Sequence, residues 1–209
     1  MTNRQSFLAY LQLATWPKGQ RGLHYRGPAD FLLQHGRWYS PTATNLEYLT
    51  PHLCYGNAII VAVRWGWPYV EGWAVNFQGV PIHHAWNAHG DSAVDVTWRI
   101  PGVLYFGVEF SAERADDCTW NGDATVLDDF NRGWPLLKKP WTGEDNSIVW
   151  PASDRLEALR SGDRAALARC HEEVLTQERQ GSLYAGTQSQ EGSGHCYRRA
   201  AESRSNQDR

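Results

Sequence analysis

Three residue types that together can run nucleophilic chemistry follow one another in the chain: Cys54, His84 and Asp95. A thiol attacks poorly until a base takes its proton or its pKa is lowered. An imidazole can take that proton on one ring nitrogen, while a carboxylate on the other nitrogen fixes the tautomer and aims the ring. If Cys54 opens a helix, the unpaired N–H groups and dipole of the first turn favour the thiolate. The same groups could hold an oxyanion. The chemistry these residues point to is acyl transfer at an amide or ester. Cys54 attacks the carbonyl, His84 moves the proton and Asp95 orients His84.

The elements must bring the three together. Residues 82–86 and 93–99 read as strands around the turn His89-Gly-Asp91. Centring that hairpin between His89 and Gly90 pairs residues whose numbers sum to 179, so His84 faces Asp95 and Trp86 faces Ala93. Opposed residues share a sheet face, with Cβ atoms about 4.5–5.5 Å apart. A slip of one residue would send the two side chains to opposite faces. The run Cys54-Tyr-Gly-Asn-Ala-Ile-Ile-Val-Ala-Val-Arg fits either a buried helix or a buried strand, and its β-branched residues favour a strand. The needs of the thiol favour a helix from about Tyr55. Around the three, Tyr55, Asn57, Glu71, Trp73 and Trp86 are candidates for holding substrate or oxyanion.

Elsewhere, apolar spacing predicts a helix over 7–13, and Pro28 with Gly36 brackets a second one. The stretch 38–51 reads as a loop, with two prolines among Thr and Asn. Segments 69–77 and 104–110 join the two strands above in a set with short connections, which predicts an antiparallel meander. Residues 111–150 read as loops with short elements, and 156–160 and 165–177 as helices, with Ser153 capping the first and Asp163 opening the second. The expected class is α+β, a Cys-bearing central helix packed on an antiparallel sheet. It forms one domain over 1–180, followed by a Gly-, Ser-, Gln- and Arg-rich tail, 181–209, with little to bury.

Bulk properties narrow the classes. A net charge of −3 gives no electrostatic case for nucleic acid. No apolar run has the length of a membrane span, and the run from Phe7 is too interrupted for a signal peptide, so the expected location is cytoplasmic. The four cysteines are scattered without a CxxC pair, which argues against a disulfide framework. Cys118, Cys170 and Cys196 lack helpful neighbours. His83 and His84 point to opposite faces of a strand, so with His89 they do not make a metal site. No cofactor is expected. All 11 Trp precede Pro151, and they supply either core or an aromatic cleft. A non-catalytic binding protein using such a cleft is the alternative reading. Glu71 is unusual in a strand, being either solvent-facing or a cleft residue.

The order Cys54, His84-Ala85-Trp86, Asp95-Val96-Thr97 resembles the Cys-His-Asp arrangement of papain-like and transglutaminase-like thiol enzymes. The resemblance covers roughly residues 50–110. It implies a Cys at the start of a central helix, with His and Asp on neighbouring strands. It also implies a peptidase, amidase or transglutaminase-like activity on a peptide, protein or small amide. Tyr69-Val-Glu-Gly72 ahead of His-Ala-Trp is similar to uncharacterised phage and bacterial proteins. The papain pattern has a Gln shortly before the nucleophile. Here Tyr48 stands there, which leaves a backbone N–H, Asn57 or His52 as oxyanion donor.

Overall fold

The computed structural model describes residues 3–18, 22–120, 124–143 and 154–162, all within one unit, Met1–Leu167. The helix expected at 165–177, the caps at Ser153 and Asp163, and the tail lie outside them.

Helix α1 (Arg4–Leu13) starts at Asn3, whose side chain accepts from Ser6 N–H. Helix α2 (Pro28–His35) opens on proline and stops at Gly36. Gly27 before it has φ of 91°, with the Trp16 ring where a Cβ would sit. Helix α3 runs Cys54–Trp65 and ends on left-handed Gly66. Of its buried residues, Cys54, Asn57, Ala58, Val61 and Ala62 recur at steps of three and four, and Ile59 widens that face, so one side of the helix meets the core. That packing overrides the strand preference of Ile59, Ile60 and Val61.

Strands β1 (Arg37–Thr42), β2 (Tyr69–Val75), β3 (Pro81–His89), β4 (Ser92–Val94) and β5 (Leu104–Phe110) form one sheet. β2, β3 and β4 are the expected antiparallel neighbours, whereas β5 lies on the far side of β2. β1, in a stretch read as loop, pairs antiparallel with β5 and parallel with β4, so the pairings close into a ring. Pro41 is tolerated there, where the paired segment runs only from Ser40 to Thr42. β4 is shorter than expected because Asp95 turns the chain.

Alternation divides the sheet into two faces. Tyr39, Val70, Ala74, Trp86, Ala88, Ala93 and Tyr105 fill the inside of the ring. The other face, with Tyr69, Val75, Ala85, Phe106, Val108 and Phe110, packs on the helices, including Phe31 and Ile59. β2 and β5 approach closely at the facing pair Gly72 and Gly107, where a Cβ on Gly72 would run into the Phe106 carbonyl.

Helix α4 (Ala112–Thr119) begins at Ser111, whose hydroxyl accepts from Arg114 N–H. A short 3₁₀ turn covers Pro135–Leu137, and α5 (Asp154–Ser161) ties to α4 through the buried Arg155–Asp116 ion pair.

Candidate active site

The β3–β4 register pairs Asn87 with Val94, Ala88 with Ala93 and His89 with Ser92. The turn is therefore centred between Gly90 and Asp91, one residue later than counted, and Trp86 does not face Ala93. Moving a hairpin centre by one residue moves each partner by two, which keeps side chains on the same face. His84 and Asp95 thus remain on one side although they are not a ladder pair. β4 has ended at Val94, and Asp95 belongs to the following turn.

That turn is built by the carboxylate. Asp95 Oδ1 accepts from Thr97 N–H at 2.8 Å and Trp98 N–H at 3.2 Å. Oδ2 lies 2.7 Å from His84 Nε2 and accepts from the Tyr105 hydroxyl at 3.0 Å. Tyr105 in turn accepts from Gly102 N–H at 2.8 Å. A carboxylate with this many donors can only accept, so His84 Nε2 carries the proton. That leaves Nδ1 open towards Cys54, which together with Asp95 raises the pKa of the ring. Trp98 stacks on the His84 ring at 3.9 Å between centroids and 13° between planes.

Burial alone would lower the His84 pKa. The hydrogen bond to Asp95, then that to Cys54, outweigh it and push it up to about 9. Protonation of His84 is therefore favoured at neutral pH.

Cys54 is the first residue of α3 and is 8% exposed. No side chain caps the helix at Leu53, so the first-turn N–H groups beside the sulfur are not taken by a cap. Two residues earlier, His52 holds a left-handed backbone with φ of 67°, an uncommon state for a side-chain-bearing residue. His52 itself is exposed.

The other candidates fall in different places. Asn57 donates its amide protons to Thr50 O at 2.7 Å and Thr97 Oγ1 at 3.0 Å, which leaves neither for an oxyanion. Asn57 instead ties the helix carrying Cys54 to the turn carrying Asp95. Glu71 is neither solvent-facing nor in a cleft. It is fully buried and accepts from Tyr69 OH, Val126 N–H and Leu127 N–H, each at 3.0 Å. Burial would raise its pKa, but the facing His83, Thr125 and Leu127 hold it below the ordinary value. Its carboxylate clamps residues 125–127 to β2.

Trp73 stacks on His83 at 4.6 Å, on the sheet face opposite to His84. Tyr55 reaches the same face, 5.9 Å from the His83 ring, and burial raises its pKa, with Glu71 and Cys54 adding to the rise. Trp86 is 1% exposed inside the ring between Tyr39 and Tyr105, where it serves as core. Sequence reasoning missed Trp98 and Tyr105. The signal for Trp98 was present in Asp95-Val-Thr-Trp98, since an Asp that turns the chain by accepting from the next backbone amides fixes the position of the residues after it.

No described helix is long and apolar enough to cross a membrane. No protein-family model, no curated protein and no solved structure matches this chain.

Proposed function

We propose that this protein is a cysteine-dependent acyl-transfer enzyme of the papain-like or transglutaminase-like kind, acting on an amide bond through Cys54, His84 and Asp95. One observation carries the reading: the buried His84 imidazole lies 2.7 Å from Asp95, and Cys54, the first residue of α3, is the second group that raises the pKa of the same ring. The order of the three residues and the helix-borne thiol agree with the resemblance. The Cys54 sulfur attacks the carbonyl carbon, forming a C–S bond and an oxyanion that the first-turn N–H groups of α3 can receive. As the oxyanion collapses, the C–N bond breaks and His84 gives its Nδ1 proton to the leaving amine. Water or a second amine then attacks the thioester, His84 takes its proton, and the C–S bond breaks. Water makes the reaction a hydrolysis, and an amine makes it a transfer.

The 8% exposure of Cys54 supports the alternative, a non-catalytic protein that binds a peptide or partner. Alkylation by iodoacetamide across pH, mapped to Cys54 by mass, separates the two. The enzyme reading expects fast labelling that falls in His84→Ala. Ordinary thiol reactivity, indifferent to His84→Ala, supports the binding protein.

A further inference from the structure

Nine large apolar side chains among the described residues are exposed, and six of them stand by the Cys–His pair or at the end of the sheet beside it: Leu53, Phe77, Val80, Ile82, Ile100 and Val103. Leu53 directly precedes Cys54. Ile82 lies two residues before His84, on the same face of β3. The others belong to two neighbouring loops. Val103 N–H donates to Val75 O at 2.7 Å, and Val75 pairs with both Pro81 and Leu104, which sets 76–82 beside 100–104. Trp98 joins this surface to the site. It stacks on His84, and a Cβ on Gly102 would lie 3.0 Å from its ring.

These loops are also uncharged. Neither Asn76-Phe-Gln-Gly-Val-Pro-Ile82 nor Ile100-Pro-Gly-Val-Leu104 holds an Asp, Glu, Lys or Arg, in a chain that is 21% charged. An exposed apolar cluster of this kind marks an interaction surface. The exposed Arg99 flanks Ile100, so the two loops carry charge only at their edge, and their own residues favour an apolar ligand over an ionic one. With Cys54 only 8% exposed, an extended chain suits the site better than a folded surface does.

We propose that these two loops, with Leu53, form the substrate surface of the Cys54 site, and that it takes an extended, uncharged peptide with bulky apolar side chains beside the amide that reacts. This rests on the reading of Cys54 as nucleophile.

The test compares two alkylating probes on the full chain, an iodoacetamide carrying Leu-Phe amide and one carrying Gln-Ser amide. Rates are mapped to Cys54. The apolar probe is expected to label about tenfold faster, the gain from burying one or two such side chains. Phe77→Ser with Ile100→Ser should bring the ratio towards one; both positions are more than half exposed, at 59% and 57%, so the fold does not depend on them. A ratio near one in the unaltered protein, or one that persists in the double variant, overturns the proposal. Polarisation of a fluorescent Leu-Phe peptide on Cys54→Ala protein reads the surface without chemistry. Tight binding there, lost in the double variant, upholds the surface even if plain iodoacetamide shows an ordinary thiol and the enzyme reading fails. Sedimentation that finds a dimer dissolved by the double variant would assign the patch to a second copy and overturn the peptide.

Discussion

Asp95→Asn is the sharpest perturbation, because it keeps the shape of the side chain and removes its charge. The amide oxygen can stay on the N–H groups of Thr97 and Trp98, which turns the new NH₂ towards His84 Nε2 and the Tyr105 hydroxyl. Nε2 must then accept, so its proton moves to Nδ1, the nitrogen that faces Cys54. A protonated, uncharged Nδ1 cannot take the thiol proton. The rise of the His84 pKa from 6.5 to about 9 corresponds to about 3 kcal/mol favouring the imidazolium. At 2% side-chain exposure, water screens little of it. With Asp95 neutral, burial is opposed by Cys54 alone, and the midpoint should fall well below 9. The comparable exchange in a Ser-His-Asp site costs about 10⁴ in turnover, which sets the scale for amide cleavage here. Carbon-labelled histidine followed by NMR reads the midpoint directly, with His84→Gln identifying the signal. Circular dichroism checks that the variant is folded. A midpoint that stays near 9 in the variant, or sits at 6.5 or below in the unaltered protein, would mean that Asp95 does not hold the His84 proton.

The same contacts set further outcomes. Because the His84 pKa is higher folded than unfolded, its stabilisation is complete below about pH 6.5 and is lost as pH rises through about 9. Urea unfolding should therefore show a decline of up to about 3 kcal/mol across that window, and His84→Gln should flatten it. Glu71→Gln puts an NH₂ against one of the groups that converge on it in a fully buried place, among them Tyr69 OH, Val126 N–H, Leu127 N–H and His83 Nε2, and should cost about 3 kcal/mol in the same assay without slowing Cys54 alkylation. Since the Glu71 pKa is held down, its contribution should fade as pH drops through the carboxylate range. Gly72→Ala drives a methyl into the β5 backbone, with Gly107 Cα at 2.5 Å, and should cost more than about 3 kcal/mol or leave the protein insoluble.

How much of this was legible in the sequence depended on whether local rules or distant packing decided each element. Pro28 and Gly36 bracket α2 by backbone chemistry alone. The β3–β4 hairpin was miscounted by one residue because Gly90, not His89, takes the left-handed position, with φ of 62°. The His84–Asp95 contact survived because side-chain facing depends only on parity. β1 was invisible, since Ser40, Pro41 and Thr42 read as loop and are held by β4 and Asp91 rather than by propensity. α4 is one of the short elements expected within 111–150, but its bounds were not read although Ser111 with Glu113 is a usable start signal, because the Asp-Asp-Cys-Thr run hid them. Glu71 was misread because nothing local announces that residues 125–127 will fold over it.

On the proposed chemistry, the Cys54 sulfur forms an acyl intermediate with His84 as its proton carrier. Intact-mass measurement after mixing with p-nitrophenyl acetate tests it most directly. One acetyl group per chain is expected, mapped to Cys54, which forms quickly and then disappears with turnover. In His84→Ala the adduct should form at least about a hundredfold more slowly, the scale of lost general acid–base help. An adduct on Cys118 instead, or one on Cys54 that forms as fast without His84, would contradict it.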